Sequence, residues 1–401
     1  MKVDQTHKVI RLAVVSRMLC IALAILGYAS SRLEYQRSTI LLGADPSPKW
    51  LYRLVGPFLQ WDALHFLNIA TRGYDSVLEH AFFPGLPIVM RLLSCIIPSF
   101  SDNPMYSLAF GGILFVQVSF VVASVGLYKV SLHFCSDGKT AYRATLLYVF
   151  ASCSIFLCAV YTEAPFSMLT FWGLYCLYVR NDLMLSSLML SIAGLFRSNG
   201  ILAIVYVLHF ACIRKDRSAG SIFQALLASG AIYVPYLVYS LWSRNLYCDL
   251  TETPHEWCSE FSSIYGYVQN NFWGVSFMSY WKVNNIPQFL LMTPTLLVTL
   301  HAPMHYWLNS IGRKGFNLHK LIQNPIAPFL VHMGALTAFV VFIANCQILT
   351  RILSSCPLYF WTLERVLRDV KTSRISQFLA FMHLLYFIIG PVLFASGLNW
   401  T

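Results

Sequence analysis

One aspartate stands among apolar neighbours at a point where it could act in catalysis. Asp62 lies in the segment Gln60-Trp61-Asp62-Ala63-Leu64-His65-Phe66. A carboxylate in apolar surroundings is costly unless it is hydrogen-bonded or has a chemical task, and an ionised carboxylate can serve as a general base. His65, three positions later, could orient it across one helical turn. A structural role stays open, because Asp62 could instead cap a helix or pair with Arg53 or Arg72.

The composition places most of the chain in lipid. Of the 401 residues, 57% are hydrophobic and 11% are charged, and the mean hydropathy is +0.60. A soluble domain carries roughly 25% charged residues, so this chain has too little polar surface to cover a globule of its size. The net charge of +11 does not indicate a nucleic-acid partner, because the basic residues form short clusters between apolar runs, as the orientation rule for membrane proteins requires.

We therefore predict an all-α polytopic membrane protein with about ten transmembrane helices, forming one domain over residues 1–401. A crossing needs about 20 apolar residues, and two apolar runs, 183–196 and 199–213, are shorter. They could form a hairpin that reaches only part-way, with Arg197-Ser198-Asn199-Gly200 at its tip. The predicted spans are residues 10–30, 106–130, 141–161, 164–180, 183–196, 199–213, 220–243, 288–309, 326–350 and 376–398.

The charge distribution predicts how these spans are oriented. A basic start followed by the apolar run from Met18 to Ala29 predicts an uncleaved signal-anchor with its N-terminus in the cytosol. Alternation then places three long segments in the lumen, residues 31–105, 244–287 and 351–375, and returns the C-terminus to the cytosol. The glycosylation acceptor pattern Asn399-Trp400-Thr401 would then be unused.

Amphipathic stretches in the lumenal segments predict helices at the membrane surface. The stretch from Trp50 to Ala70 has apolar residues at helical spacing and is broken near Pro57. Residues 81–98 are apolar enough for a span, but two prolines and a central Arg91 favour an interfacial or re-entrant element. A second interfacial helix is predicted after Trp361, with basic residues that would face phosphate headgroups: Arg365, Arg368, Lys371 and Arg374.

Two of the eleven cysteines, Cys248 and Cys258, lie in the polar part of the second long segment. If that segment is lumenal, they could form a disulfide. A disulfide requires Cα atoms roughly 4.4–6.8 Å apart, and the sequence does not fix this distance, so free thiols remain the alternative.

Short motifs along the chain share one resemblance. The first long segment contains Trp61-Asp62-Ala63, then Gly73-Tyr74 and Glu79-His80-Ala81-Phe82-Phe83-Pro84. Later motifs are Tyr161-Thr162-Glu163-Ala164-Pro165-Phe166, Arg197-Ser198-Asn199-Gly200, Ile264-Tyr265-Gly266-Tyr267-Val268-Gln269, Phe272-Trp273-Gly274-Val275, Ile286-Pro287-Gln288-Phe289-Leu290-Leu291, Gln347-Ile348-Leu349-Thr350-Arg351 and Tyr359-Phe360-Trp361. In this order they resemble the GPI mannosyltransferase II family, PIG-V. Two departures are shorter loops and Pro287-Gln288-Phe289, where the family would have Pro-Asn-Phe.

This resemblance implies a GT-C-like helical bundle in the endoplasmic reticulum membrane, with its active site under the first lumenal loop. It implies transfer of mannose from dolichyl-phosphate-mannose to the first mannose of a GPI precursor, in α-1,6 linkage. The donor linkage is β and the product is α, so the displacement is single and inverting. One carboxylate must then take the proton of the acceptor hydroxyl. Dolichyl phosphate leaves as an anion, so no general acid is needed, and we predict no cofactor and no metal.

On this interpretation Asp62 is the base. Arg197 and Arg351 each end an apolar span on the lumenal side and would bind the donor phosphate, because a guanidinium fits phosphate bidentately. The alternative for both arginines is ordinary anchoring of a helix end. The residues predicted to orient the base or bind the acceptor are His65, Glu79, His80, Glu163 and Asn199. The expected partners are the two lipid substrates, the membrane and a small membrane subunit.

Three other functions remain open at this point. A transporter or channel would carry charges in mid-span and little mass outside the bilayer, whereas here the ionisable residues gather in long loops. A non-catalytic scaffold subunit would tolerate loss of Asp62. Another transferase using dolichyl-phosphate-mannose, acting on an oligosaccharide lipid or a protein, would share the same chemistry, because only the resemblance names the acceptor.

Overall fold

Helices that run between the two ends of a bundle dominate the computed structural model of this chain. It describes residues 4–30, 49–97, 103–213, 218–249, 255–261, 263–311, 323–398 and 400. These ranges contain helices, turns and no strand, which confirms the all-helical class. Residues 31–48 of the first long segment, and Asn399 and Thr401 of the glycosylation pattern, lie outside the described residues.

The helices follow one another with short connections. In chain order they are α1 (Thr6–Ser30), α2 (Lys49–Val55), α3 (Asp62–Arg72), α4 (Gly85–Ser94), α5 (Met105–Phe134), α6 (Gly138–Val149), α7 (Glu163–Tyr178), α8 (Leu183–Gly194), α9 (Ile204–Ile213), α10 (Ala219–Arg244), α11 (Trp257–Glu260), α12 (Ile264–Trp273), α13 (Ile286–Ile311), α14 (Ala327–Phe342), α15 (Leu349–Ile352), α16 (Pro357–Leu367) and α17 (Arg374–Ala395).

Four of these helices, α1, α5, α10 and α17, are long and apolar enough to cross a membrane. Their outward positions carry large apolar side chains, for example Met18 on α1 and Leu226 and Leu227 on α10, all of which are exposed. Apolar side chains on an outer helix surface need a lipid environment. The chain is therefore a multi-spanning membrane protein. The number of ten spans stays a prediction.

The bundle has two chemically different ends. At one end, which we call the basic end, Lys129 forms an ion pair with Asp4 and Arg368 donates a hydrogen bond to Thr140. The opposite end carries Asp62 and the cavity described below, and we call it the cavity end. Helices α1 and α17 run in parallel toward it. Gly27 of α1 packs so closely on α17 that a Cβ there would lie 2.5 Å from the Val392 carbonyl oxygen.

The predicted span 141–161 is helical only in its first half. Helix α6 ends at Val149, and residues 151–161 form buried, irregular turns. Three side chains from other helices replace the missing helical hydrogen bonds. Ser16 donates to the Val149 carbonyl, Arg17 to the Ser154 carbonyl at 2.9 Å and Gln117 to the Cys158 carbonyl at 2.7 Å. Irregular backbone at membrane depth is tolerated where protein groups satisfy it.

The segment 351–375 is not an interfacial lumenal loop, and this prediction was wrong. Arg351 lies at the cavity end, but α16 carries the chain through the core to the basic end, where Arg368 meets Thr140. Helix α16 is buried along most of its length, and Trp361 donates a hydrogen bond to Ser131 of α5 at 2.7 Å. The basic residues after Trp361 follow the buried part of α16 and mark its end, whereas their spacing had predicted an interfacial helix.

This additional pass changes the predicted position of the C-terminus. Helix α17 starts beside the basic end and returns to the cavity end, where Trp400 lines the same cavity as Asp62. The C-terminal region therefore lies on the same side as the candidate base, and its placement on the opposite, cytosolic side was wrong. The prediction did not include the passage of the chain through α16 from the cavity end to the basic end. All residues after α16 were therefore assigned to the opposite side.

Short helices surround Asp62 at the cavity end. A 3-10 turn over Gly56–Phe58 contains Pro57 and separates α2 from α3, close to the predicted break. In the stretch 81–98, α4 begins after Pro84, and its Arg91 donates hydrogen bonds to the Ala70 and Ile69 carbonyls. Arg91 therefore caps the C-terminal end of α3, which satisfies carbonyls that the helix leaves free.

Candidate active site

A bend in the backbone positions Asp62. Trp61 has φ +56° and ψ −122°, a conformation that non-glycine residues rarely adopt and that costs on the order of 1–3 kcal/mol. Tyr161 holds the bend from the other side of the site. Its hydroxyl accepts the Asp62 N–H at 3.1 Å and donates to the Gln60 carbonyl at 3.3 Å. Strain that is stabilised in this way is typical of functional sites.

Four charged side chains form one network behind this bend. Arg351 Nη2 donates to Asp62 Oδ2 at 2.9 Å, and Arg351 Nε donates to Glu163 Oε1 at 2.9 Å. Arg197 Nη1 lies 2.7 Å from the same Glu163 oxygen. Two carboxylates therefore face two guanidinium groups, and the formal charges balance. Asp62 does not form an ion pair with Arg53 or Arg72 among the described residues.

Glu163 is the hidden member of the network. Its side chain is 1% exposed, whereas Asp62 is 35% exposed and the two arginines are intermediate. A buried carboxylate is stable only when it is paired and hydrogen-bonded. Glu163 therefore orients the two arginines from inside the protein. Its side chain is too buried to contact a sugar directly.

Aromatic rings fix the guanidinium of Arg351. Its Cζ lies 4.5 Å from the centre of the Phe156 ring and 5.0 Å from that of Tyr161. Both residues belong to the irregular segment that follows α6, so the backbone of residues 151–161 positions the two rings against Arg351. A cation stacked in this way is held at one place and orientation.

A cavity of about 240 Å³ opens in front of the network. Asp62 and Arg351 line it, and Gln288 and Trp400 are also among its lining residues. Arg351 donates a hydrogen bond to Oδ2 of Asp62. No hydrogen bond to Oδ1 is found within the described ranges. The exposed carboxylate could therefore accept a proton from a molecule in the cavity.

His65 does not orient Asp62 through a hydrogen bond, contrary to the prediction. Its ring stacks on Phe82, with ring centres 4.7 Å apart and planes 14° apart. Burial lowers the pKa of His65, against the opposing effect of Asp62 and Glu79. His65 is therefore neutral near pH 7 and packs against the aromatic residues that support α3.

Glu79 and His80 do not contact the ionic network, so they do not orient Asp62 through a direct contact, and a role in binding the acceptor stays a prediction. Glu79 accepts hydrogen bonds from Asn68 and from the backbone N–H groups of Asp75 and Ser76, which closes a capping box. Its carboxylate oxygens therefore already accept the hydrogen bonds that hold its own loop.

His80 belongs to a separate aromatic cluster. Its ring stacks on Tyr74 and packs against Tyr239, whose hydroxyl donates to the His80 carbonyl at 3.0 Å. Burial lowers the pKa of His80 to about 4. This neutral, enclosed histidine joins the first long loop to α10.

Asn199 follows Arg197 in the tip of the hairpin between α8 and α9, which the structure forms where predicted. Asn199 does not line the cavity, and its neighbour Ser198 shares a hydrogen bond of 2.7 Å with Tyr265. The tip places Arg197 on Glu163 and thereby brings two residues together that are 34 positions apart in the sequence. A role for Asn199 in binding the acceptor stays a prediction.

Cys248 and Cys258 form a disulfide, with Cα atoms 5.8 Å apart. The bridge closes the loop between α10 and α11 near Tyr247, which packs on His80. It therefore belongs to the support of the first long loop and lies apart from the ionic network.

Four further residues line the cavity although the sequence did not indicate it: Tyr161, Gln288, Gln347 and Trp400. Tyr161, Gln288 and Gln347 all stood in motifs quoted above, but the motifs did not show that they share one cavity. Trp400 was missed for a different reason: the predicted topology put it on the wrong side of the membrane.

Comparisons with known proteins agree with one another. The protein family described as Mannosyltransferase (PIG-V) matches residues 6–401. GPI mannosyltransferase 2 of Gibberella zeae is 28% identical over 410 residues, which cover 96% of this chain and 94% of that protein. GPI mannosyltransferase 2 of Cryptococcus neoformans is 27% identical over 345 residues, covering 79% of this chain and 80% of that protein. GPI alpha-1,6-mannosyltransferase 2 of Rattus norvegicus is 28% identical over 373 residues, covering 79% and 74%.

Among solved structures, the oligosaccharyltransferase of Archaeoglobus fulgidus aligns with 97% of this chain at 13% sequence identity and a TM-score of 0.47. The alignment covers 53% of that protein, so this chain spans about half its length.

Proposed function

The chain belongs to the mannosyltransferase (PIG-V) family, and on this basis we propose that it transfers mannose from dolichyl-phosphate-mannose to the first mannose of a GPI precursor, in α-1,6 linkage. The names of the relatives supply GPI and the α-1,6 linkage, and the resemblance to the family supplies the first mannose as the acceptor. The observation that carries the mechanism is the position of Asp62: an exposed carboxylate at a cavity, joined by Arg351 to the buried Glu163.

The proposed step is a single displacement at C1 of the donor mannose. The 6-hydroxyl oxygen of the acceptor forms the new bond to C1 while the bond from C1 to the phosphate oxygen breaks. Asp62 takes the hydroxyl proton, and dolichyl phosphate leaves with the electron pair and one additional negative charge. Attack from the face opposite to the phosphate converts the β donor into an α product, as in other inverting reactions.

The arginines would stabilise the charge that develops on the phosphate. A guanidinium has five N–H donors. Arg351 uses Nε and Nη2 within the network and Arg197 uses Nη1, so each retains N–H groups for phosphate oxygens. Donors held in place before the reaction need no reorganisation when the charge appears, which is the main source of electrostatic catalysis. Because these cations meet a lipid monophosphate, we propose that the reaction requires no metal.

Glu163 would keep this arrangement intact between turnovers. With Asp62 and Glu163 both present, the two arginines are neutralised in the resting enzyme. When the donor phosphate binds, it competes with Asp62 for Arg351. Asp62 would then be released from its ion pair at the moment when a base is needed, so donor binding and base activation would be coupled.

We place the cavity end in the lumen of the endoplasmic reticulum. The disulfide between Cys248 and Cys258 supports this placement, because disulfides persist in oxidising compartments. Near the basic end, Lys129 lies in α5 and Lys139 and Arg143 lie in α6, and positive residues favour the cytosolic side. The lipid-linked mannose would then be presented to Asp62 from the lumenal leaflet.

Two experiments test this function. Purified protein in liposomes should transfer mannose from dolichyl-phosphate-mannose to a glycolipid ending in one α-mannose, and digestion with an α-1,6-specific mannosidase should remove the added sugar. Cells lacking the protein should accumulate a GPI precursor with one mannose. Transfer to an oligosaccharide lipid, with no transfer to the GPI glycolipid, would instead identify a different acceptor.

A further inference from the structure

The cavity has two walls with different chemistry. Asp62 and Arg351 form the charged wall. The cavity is also lined by four residues that carry no charge, and we call them the uncharged wall: Pro287, Gln288, Leu291 and Trp400. The proposed chemistry uses only the charged wall, so the second set of residues has no role in it.

Gln288 carries an amide that the protein does not satisfy. Its Oε1 is buried, and no donor within the described part of the chain lies at hydrogen-bonding distance. A buried acceptor without a donor is costly. The terminal amide of glutamine can rotate and present either its oxygen or its NH₂ group. A sugar hydroxyl is both a donor and an acceptor, so it could satisfy either end of this amide.

Trp400 is held against the cavity by α17. Its ring meets the Tyr386 ring edge-on, with centres 5.2 Å apart and planes 90° apart. A Cβ at Gly390 would lie 2.7 Å from Trp400 Nε1, so only glycine leaves room for the indole at this position. Trp400 is thus a rigid aromatic surface whose position depends on a glycine.

One hydrogen bond connects the supports of these two residues. The Tyr386 hydroxyl of α17 donates to the Leu291 carbonyl of α13 at 3.0 Å, one turn beyond Gln288. The indole and the amide therefore keep a fixed relation to each other. An aromatic face combined with a polar amide matches a sugar ring, which presents C–H groups on its face and hydroxyls at its edge.

We propose that the uncharged wall binds the acceptor mannose, with the ring stacked on Trp400 and a hydroxyl bound to Gln288. This inference rests on the proposed function. The donor phosphate requires the arginines of the charged wall, and in an inverting displacement the acceptor approaches from the face opposite to the leaving phosphate. With the arginines engaged by the donor phosphate, the uncharged residues of the cavity remain for the acceptor, whose hydroxyl must reach both C1 and Asp62.

The test separates the KM of the acceptor from the KM of the donor. The variants are Gln288→Met and Trp400→Leu, assayed with dolichyl-phosphate-mannose and a synthetic glycolipid ending in one α-mannose. Loss of a single hydrogen bond or stacking contact should raise the acceptor KM roughly three- to tenfold, with the donor KM changed less than about twofold. The matched controls are Gln224→Met and Trp50→Leu, whose side chains are exposed away from the cavity.

Two further variants distinguish binding from folding. Trp400→Phe keeps an aromatic face and should restore most of the acceptor affinity lost in Trp400→Leu. Gly390→Ala should displace the indole and raise the acceptor KM without altering a residue of the cavity. An increase in the donor KM alone, or acceptor KM values equal to those of the controls, would overturn the inference while leaving the proposed function intact. Failure of the wild-type protein to use the lipid donor would instead remove the proposed function.

Discussion

Arg351 Nη2 lies 2.9 Å from Asp62 Oδ2, so the candidate base and a candidate phosphate-binding cation are in contact before any substrate arrives. The two residues are 289 positions apart in the sequence. Since Arg351 also binds Glu163 through Nε, one side chain links the exposed and the buried carboxylate. In the proposed mechanism, the network would therefore contact both the donor phosphate, through Arg351, and the acceptor proton, through Asp62.

Replacing Arg351 tests its double contact. Arg351→Lys keeps one positive charge but cannot donate from two fixed N–H directions to Asp62 and Glu163 at once. We expect turnover to fall by about 10²-fold or more, the scale for losing a group that stabilises transition-state charge. Arg72→Lys, on the exposed side of α3, is the matched control and should keep wild-type turnover. Equal turnover in both variants would exclude Arg351 from the mechanism.

Removing the charge of Glu163 should destabilise the protein as well as inactivate it. Glu163→Gln leaves Arg197 and Arg351 with one carboxylate between them at a buried position. Breaking a buried ion pair on one side costs about 3–5 kcal/mol. The measurement is thermal unfolding in detergent, with the exposed Glu260→Gln as control. A melting temperature equal to that of the control would show that Glu163 is not needed to compensate the arginines.

The buried His80 should make the protein sensitive to acid. Burial holds its pKa at about 4 in the folded protein, whereas a free histidine titrates near 6.5. Between these values the unfolded chain binds the additional proton, so stability should be complete above pH 6.5, decline as the pH falls and level off below pH 4. His80→Gln should flatten this part of the curve of stability against pH, and the exposed His7→Gln should not. Parallel curves for His80→Gln and wild type would contradict this prediction.

Cysteine labelling tests both the disulfide and the side of the membrane. In sealed microsomes, Cys248 and Cys258 should react with a thiol reagent only after reduction, because they are bonded to each other. A cysteine introduced at exposed Asp75, near the cavity end, should be protected from an impermeant reagent until the vesicles are opened. A cysteine introduced at Lys139, near the basic end, should react at once. The reverse pattern would place the cavity end in the cytosol, where the lipid-linked donor would not meet Asp62.

The sequence predicted the parts of this protein that depend on local pattern. Long apolar runs such as 10–30 and 106–130 became α1 and α5, and the resemblance identified the family. Asp62, Glu163, Arg197 and Arg351 were all singled out, yet their mutual contacts depend on packing between distant helices that no local pattern encodes. The GT-C-like arrangement and a small partner subunit stay predictions.

Errors arose where side chains from elsewhere decide the local structure. The break after Val149 is stabilised by Arg17 and Gln117, and neither lies near it in the sequence. The passage of α16 through the core was hidden because the helix is short and the basic residues at its C-terminal end resemble an interfacial helix. Glu79 and His80 were predicted to orient Asp62 or bind the acceptor, but the Glu79 carboxylate caps its own loop and the His80 ring packs in an aromatic cluster.

The most direct test compares Asp62→Asn with wild type in the reconstituted mannosyl transfer assay, with Asp75→Asn as a control in the same loop. Asparagine keeps the size of the side chain and can still accept a hydrogen bond from Arg351, but it cannot take the acceptor proton at a useful rate. General-base catalysis contributes typically 10²–10⁴-fold, so we expect Asp62→Asn to lose transfer by that factor while it folds normally. Turnover of Asp62→Asn close to that of wild type would contradict the account.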